Sequence, residues 1–290
     1  MTAIVPWLKT TLNVLWRVIL FYFTWALFLA LLFVPFGTAI SRWFLVSPVE
    51  ARLYGDSATA LTLLFATWMM TRFIDHRPFI TIGLAIDNFP KDFLIGLCTG
   101  CCWLAASAGI ALACGWLMPV SPLGFSWLVL TGSGVAMLFN VTAQELLLCG
   151  FIFQTIRDRS NVTIAVIISA ALFSGYHAGA FNGEWLPVVN VFTAGILFCL
   201  AYLITGNLWF PIAVHFAWDV LLGPVLGLTE SGKNDLGGSW KMLVVNTSNI
   251  YTGGVFGLEG GLIVTITTMV LIVSIYFLKR KKIQELFLNN

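Results

Sequence analysis

Long apolar runs broken by short polar joints set the pattern of this chain. A helix that crosses a bilayer needs about 20 mostly apolar residues at 1.5 Å rise each. On that rule eight segments qualify, at roughly 17 to 36, 57 to 74, 92 to 118, 127 to 156, 162 to 177, 187 to 205, 207 to 223 and 261 to 278. The fifth and seventh are short. The pattern predicts an all-α, polytopic membrane helix bundle of about eight transmembrane helices, one membrane domain over 1–290. The first segment ends at the small residues Gly37, Thr38 and Ala39, as a signal peptide would. Its apolar run is nevertheless longer than the roughly 7 to 15 residues of a signal core, so a retained helix is expected. The one long polar connection, about 224 to 260 and rich in Gly, Asn and Ser, is expected to be an external loop.

Composition agrees with a lipid solvent. Of 290 residues, 59% are hydrophobic and 10% charged, and mean hydropathy is +0.93, whereas a soluble domain carries about a quarter charged residues. An ordinary soluble enzyme, a disordered chain and a basic nucleic-acid binder are all excluded, so the expected surroundings are a lipid bilayer and no nucleic acid. Eight spans place both termini on one side, and the run Lys279, Arg280, Lys281, Lys282 after the last span marks that side as cytoplasmic. The other cations fit: of the 15 Lys and Arg, only Arg42, Arg52, Lys233 and Lys241 fall on the outer segments.

The six cysteines, Cys98, Cys101, Cys102, Cys114, Cys149 and Cys199, all fall inside apolar stretches and read as buried thiols that pack helices. Cys98 and Cys101 form a C-x-x-C, but no second pair or histidine follows at zinc spacing.

An ionisable side chain inside a bilayer is costly and marks a functional-site candidate. Four qualify: Glu145 in TAQELLLCGF, His177 in ALFSGYHAG, and His215 with Asp219 in PIAVHFAWDV. Counted at 1.5 Å per residue from the inner end of each span, they lie roughly 12 to 22 Å deep, in one layer near the middle of the hydrocarbon core. His215 and Asp219, four apart, face the same way on one helix, and so do Phe173 and His177. A carboxylate beside a histidine can hold and deprotonate a water, while a second histidine donates to the oxyanion of an attacked amide. That inventory points to peptide hydrolysis without a covalent intermediate. Inter-helix His–carboxylate pairing without chemistry is the plainer reading, and a zinc site built from the two histidines and two acids is the competing chemistry, although H-E-x-x-H is absent. No other cofactor is expected.

At these residues the sequence resembles the CPBP family, the type II CAAX prenyl endopeptidases and the bacteriocin-processing or immunity proteins also called Abi proteins. That family shows E-E-x-x-x-R-G, then F-x-x-x-H, then H-x-x-x-N or D. The second motif is present as Phe173 to His177, the third as His215 to Asp219 within GNLWFPIAVHFAWD, and the first is altered to Gln144, Glu145, Leu146, Leu147, Leu148, Cys149, Gly150. The resemblance covers about 127 to 223 and extends plausibly to GGVFGLEGGL at 253 to 262. It implies an intramembrane endopeptidase acting on a peptide or lipidated-peptide substrate, multi-pass in a bacterial cell membrane, with the usual base at Gln144, a water-activating His177, and an oxyanion hole at His215 and Asp219. Gln144 cannot take a proton near neutral pH, and Cys149 stands where the arginine partner of Glu145 would be. The expectation is that Glu145 takes over as base beside His177, which requires the helix to rotate or bulge, because one residue turns a side chain by about 100°. A relative that binds peptides or partner membrane proteins without cutting them, as an immunity or scaffold protein does, is the rival reading, and a transporter with a Glu/His proton relay comes third.

Overall fold

The computed structural model describes residues 4–37, 47–120, 125–233, 243–245 and 250–288. Each predicted apolar segment is helical. The helices are α1 (Ile4–Phe28), α2 (Pro48–Met69), α3 (Phe89–Ala113), α4 (Trp127–Glu145), α5 (Phe151–Arg157), α6 (Val162–Tyr176), α7 (Trp185–Thr205), α8 (Trp209–Val220), α9 (Leu262–Leu278) and α10 (Arg280–Leu288). Single π-helical turns extend α1 (Leu29–Phe33), α2 (Met70–Ile74) and α8 (Leu221–Val225), and another, Leu146–Gly150, joins α4 to α5.

Five of these stretches are long and apolar enough to cross a membrane: Leu8–Gly37, Pro48–Ile74, Phe89–Ala113, Trp127–Arg157 and Trp185–Thr205. A sixth is added if α9 and α10, bent by 89° at their junction, form one span. Val162–Tyr176 and Trp209–Val225 are apolar but shorter; the 15 residues of α6 reach about 22 Å, less than a hydrocarbon core of about 30 Å. Among the described residues, then, five or six of the eight apolar segments qualify by length, and α6 and α8 are the shorter two. The protein is a multi-pass membrane protein, and its outer face fits lipid, with side chains such as Leu128, Ile19 and Phe277 exposed.

Local signals set several helix starts. Ser47 and Glu50 form a capping box, each bonding the other's backbone N–H, with Pro48 in the first turn. Helix α2 consequently begins well before the apolar run at 57 and carries Arg52 and Asp56 into the bundle. Asn161 accepts from Ile164 N–H at 2.8 Å to start α6, and Asn207 Oδ1 accepts from the N–H groups of Trp209 and Phe210 to start α8.

Helix α8 lies directly against α3 because α3 offers Gly96 and Gly100 at that seam. A Cβ on Gly96 would stand 2.6 Å from Phe210 O, and one on Gly100 only 2.3 Å from Val214 O. Small residues four apart let two backbones touch where lipid supplies no hydrophobic drive between helices. Helix α9 closes over α3, with Ser107 Oγ 2.8 Å from Thr267 Oγ1.

At the other end of the bundle Asp75, after α2, gathers Arg17 of α1, Arg159 at 3.2 Å and Arg77 at 3.6 Å, tying three segments together.

The fold is all-helical apart from a short antiparallel ribbon, in which β1 (Leu117–Pro119) pairs with β2 (Leu243–Val245), Leu117 opposite Val245, and one expectation, about the cysteines, needs correction. Strands of three residues are too short to leave a periodic signature. Of the six free thiols only Cys149 and Cys199 are buried; Cys98, Cys101, Cys102 and Cys114 are exposed on or just after α3. Apolar sequence in a membrane chain does not separate an inward face from a lipid-facing one. Thr38, Ala39, Arg42 and, within the 224–260 connection, residues 234–242 (with Lys241) and 246–249 lie outside the described residues.

Candidate active site

Helix α4 ends at Glu145, where the chain opens into the π turn Leu146–Gly150. The bulge that the altered first motif calls for is therefore present, of the single-turn kind often found at functional sites, but it does not bring Glu145 to His177. Glu145 is fully buried, and its Oε1 accepts from His215 Nδ1 at 2.9 Å. Its Oε2 faces Cys149 Sγ at 3.7 Å, so the thiol four residues on occupies the arginine's place as a weak donor.

His215 is held on every side. Its Nε2 lies 3.6 Å from Asp219 Oδ2, one helical turn along α8. Phe198 of α7 stacks on its ring, with centroids 4.6 Å apart and planes at 18°. Phe173 sets an edge against both histidines, 4.8 Å from the His177 ring and 6.0 Å from that of His215. The phenylalanine of F-x-x-x-H is thus the spacer between the two imidazoles.

His177 caps the C-terminus of α6, and its Nδ1 donates to Phe173 O at 2.9 Å. That hydrogen bond fixes the tautomer and leaves Nε2 as an acceptor.

Gln144, on the neighbouring face of α4, belongs to a chain that starts on α2. Arg52 Nε donates to Asp56 Oδ2 at 3.2 Å, Asn140 Nδ2 donates to Asp56 Oδ1 at 2.9 Å, and Gln144 Nε2 donates to Asn140 Oδ1. With its NH2 bonded to Asn140, Gln144 presents a buried Oε1 that no group among the described residues satisfies.

Two cavities meet at the histidines. The larger, about 500 Å³, is lined by Gln144, His177, His215 and Asp219 together with the charged Arg52, Glu230 and Lys233. Arg52 bonds Glu230 at 2.8 Å. The smaller, about 40 Å³, is lined by His177, His215, Asn190, Ser231 and Glu259 among the aromatic walls of Trp103, Phe173, Phe198 and Trp218. Glu145 lines neither.

The structure thus brings His177, His215 and Asp219 to one cavity with Gln144, and sets Glu145 behind His215. No group of three or more His, Cys, Asp or Glu among the described residues is arranged to hold a metal ion. Three contributors escaped the sequence reading. Asp56 and Asn140 lie in α2 and α4 as ordinary polar positions; the capping box at Ser47–Glu50 is the signal that places Asp56 inside a helix. Glu259 stands in a glycine-rich turn beyond the apolar spans, where only its place in the GGVFGLEGGL segment hinted at a role.

A search of curated proteins and one of solved structures returned no match to the chain. A family model does match, and all four cavity residues of the two histidine helices and α4 fall inside it. Residues 124–221, carrying Gln144, His177, His215 and Asp219, match the type II CAAX prenyl endopeptidase Rce1-like family.

Proposed function

We propose that this protein is a membrane endopeptidase that hydrolyses a peptide bond in a peptide or lipidated-peptide substrate by direct attack of water, the scissile bond entering the 500 Å³ cavity. The observation that carries this reading is the meeting of His177, His215 and Asp219 at one cavity that Gln144 also lines, inside the segment matched by the endopeptidase family model. Nε2 of His177, left free by the bond to Phe173 O, accepts from the attacking water and orients it. His215 Nδ1 donates to Glu145 Oε1 at 2.9 Å, and in this reading its Nε2, 3.6 Å from Asp219 and so not held by it, carries a hydrogen to the oxyanion that forms on the attacked carbonyl. In this reading Glu145 holds His215 rather than the water. The eight apolar helices cross the bilayer with both termini cytoplasmic, as the distribution of Lys and Arg suggests.

One observation favours a second reading. The side chain beside His177 in the cavity is an amide, Gln144, where the family resemblance calls for a carboxylate, which suits a protein that binds peptides without cutting them. Turnover of a fluorogenic peptide by the purified protein in detergent separates the two. The endopeptidase reading expects cleavage that His177→Ala abolishes; binding of the same peptide without cleavage in the wild type supports the second reading.

A further inference from the structure

With Gln144 an amide and Glu145 turned to His215, neither residue of the altered first motif puts a carboxylate beside the water that His177 orients. A further carboxylate lines the small cavity together with both histidines. We propose that Glu259 is the general base of this site, acting on a water held in the 40 Å³ cavity between its carboxylate and the two imidazoles; the inference rests on the endopeptidase reading.

The chain is built to deliver this side chain. Before α9 it turns sharply through Gly253, Gly254 and Gly257, all with positive φ. A Cβ on Gly253 would stand 2.0 Å from Gly257 O, and one on Gly257 2.5 Å from Thr229 O, so only glycine lets the turn close. Asn190 of α7 then clamps the backbone, its Nδ2 donating to Glu259 O at 2.8 Å and to Gly261 O at 2.9 Å. Thr265 Oγ1 donates in turn to Asn190 Oδ1 at 2.6 Å.

The carboxylate itself is fixed but not saturated. Oε1 accepts from Trp218 Nε1 at 2.8 Å, and Oε2 from the N–H of Ser231 at 2.5 Å and its hydroxyl at 3.1 Å. A carboxylate offers about four lone-pair sites, so one remains, on Oε1. A strut that merely joins α8 to the segment at Ser231 would need no open space, whereas here a cavity with room for roughly two or three waters lies between Glu259 and both histidines. Its aromatic walls keep the local dielectric low, which strengthens electrostatic interactions inside it. Burial also pushes the Glu259 carboxyl above the usual carboxylate range, the direction that makes a carboxylate a stronger base.

The step balances without a further reactant. As the water oxygen bonds the carbonyl carbon, its proton passes to Glu259 and the carbonyl π electrons become the oxyanion, which His215 holds. The oxyanion re-forms the carbonyl as the C–N bond breaks, and the proton on Glu259 passes to the leaving nitrogen. The products are an amine and a carboxylic acid that ionises.

The test measures peptide turnover and peptide affinity in detergent for the wild type, Glu259→Gln, Glu259→Asp, and Glu259→Gln combined with Gln144→Glu. The proposal expects Glu259→Gln to lose at least 100-fold in kcat with affinity retained, and a carboxylate supplied at 144, on the other side of His177, to restore part of that loss. If Glu259→Gln does not fold, Glu259→Asp, which keeps the charge but withdraws it, is expected to lower kcat at least 10-fold with unchanged affinity. Full turnover in Glu259→Gln, or in Glu259→Asp where that is the variant that folds, overturns the proposal and leaves the endopeptidase reading standing. No turnover in the wild type overturns both.

Discussion

Glu145 Oε1 lies 2.9 Å from His215 Nδ1, and Asp219 Oδ2 lies 3.6 Å from the other nitrogen of the same ring, so one imidazole is held between two buried carboxylates. This places the acid of the altered first motif behind the third motif instead of beside the second. The contact fixes the direction of the His215 ring.

Removing that partner is expected to cost stability first. Glu145→Ala leaves His215 facing one carboxylate in a buried site, and breaking a buried pair on one side costs about 3–5 kcal/mol. Thermal unfolding in detergent should show a lower midpoint for Glu145→Ala than for Glu145→Gln, which keeps an acceptor for Nδ1. Equal midpoints would contradict the pairing.

His177 is expected to matter for turnover and little for folding, because it sits at the end of α6 and is only partly buried. His177→Ala should lower kcat by about 10²-fold, because the attacking water loses the acceptor that orients it, with the unfolding midpoint close to wild type. Steady-state kinetics beside a melting curve checks both halves.

The contact of α3 with α8 offers a steric test remote from the chemistry. Gly100→Val drives a side chain into Val214 O and should displace α8 with His215 and Asp219, lowering both folded yield and peptide binding. Gly109→Ala, in the same helix with nothing within 4 Å of the new Cβ, should match wild type or gain up to about 1 kcal/mol from helix propensity.

The rate should fall on the acid side of neutrality. A base works only when ionised, and burial raises the Glu259 carboxyl above its ordinary value, so the acid limb of kcat/KM should lie above the usual carboxylate range and vanish in Glu259→Gln. The titratable groups around it are His177 and His215, which line the small cavity with it, and Asp219, with His215 favouring the ionised form. The sign for stability is opposite: the folded state holds this proton more tightly than the unfolded chain, so the contribution is greatest below the unfolded value and declines as pH rises toward the folded one. A pH–rate profile and melting curves across the same range test the two signs.

Much of this molecule is legible without coordinates. Apolar runs placed the helices of the bundle apart from the charged α10, and scarcity of charge in a lipid solvent singled out Glu145, His177, His215 and Asp219, because an ionisable group there must have a partner or a task. Spacings of four put Phe173 with His177 and His215 with Asp219 on shared faces, and the structure keeps both pairs together. What periodicity leaves open is rotation about the helix axis and approach between helices. The π turn at Leu146–Gly150, the glycine seam of α3 and the clamp of Asn190 on the 259–261 turn are long-range contacts, and they alone turned Gln144 toward the cavity, Glu145 toward His215 and Glu259 toward both histidines.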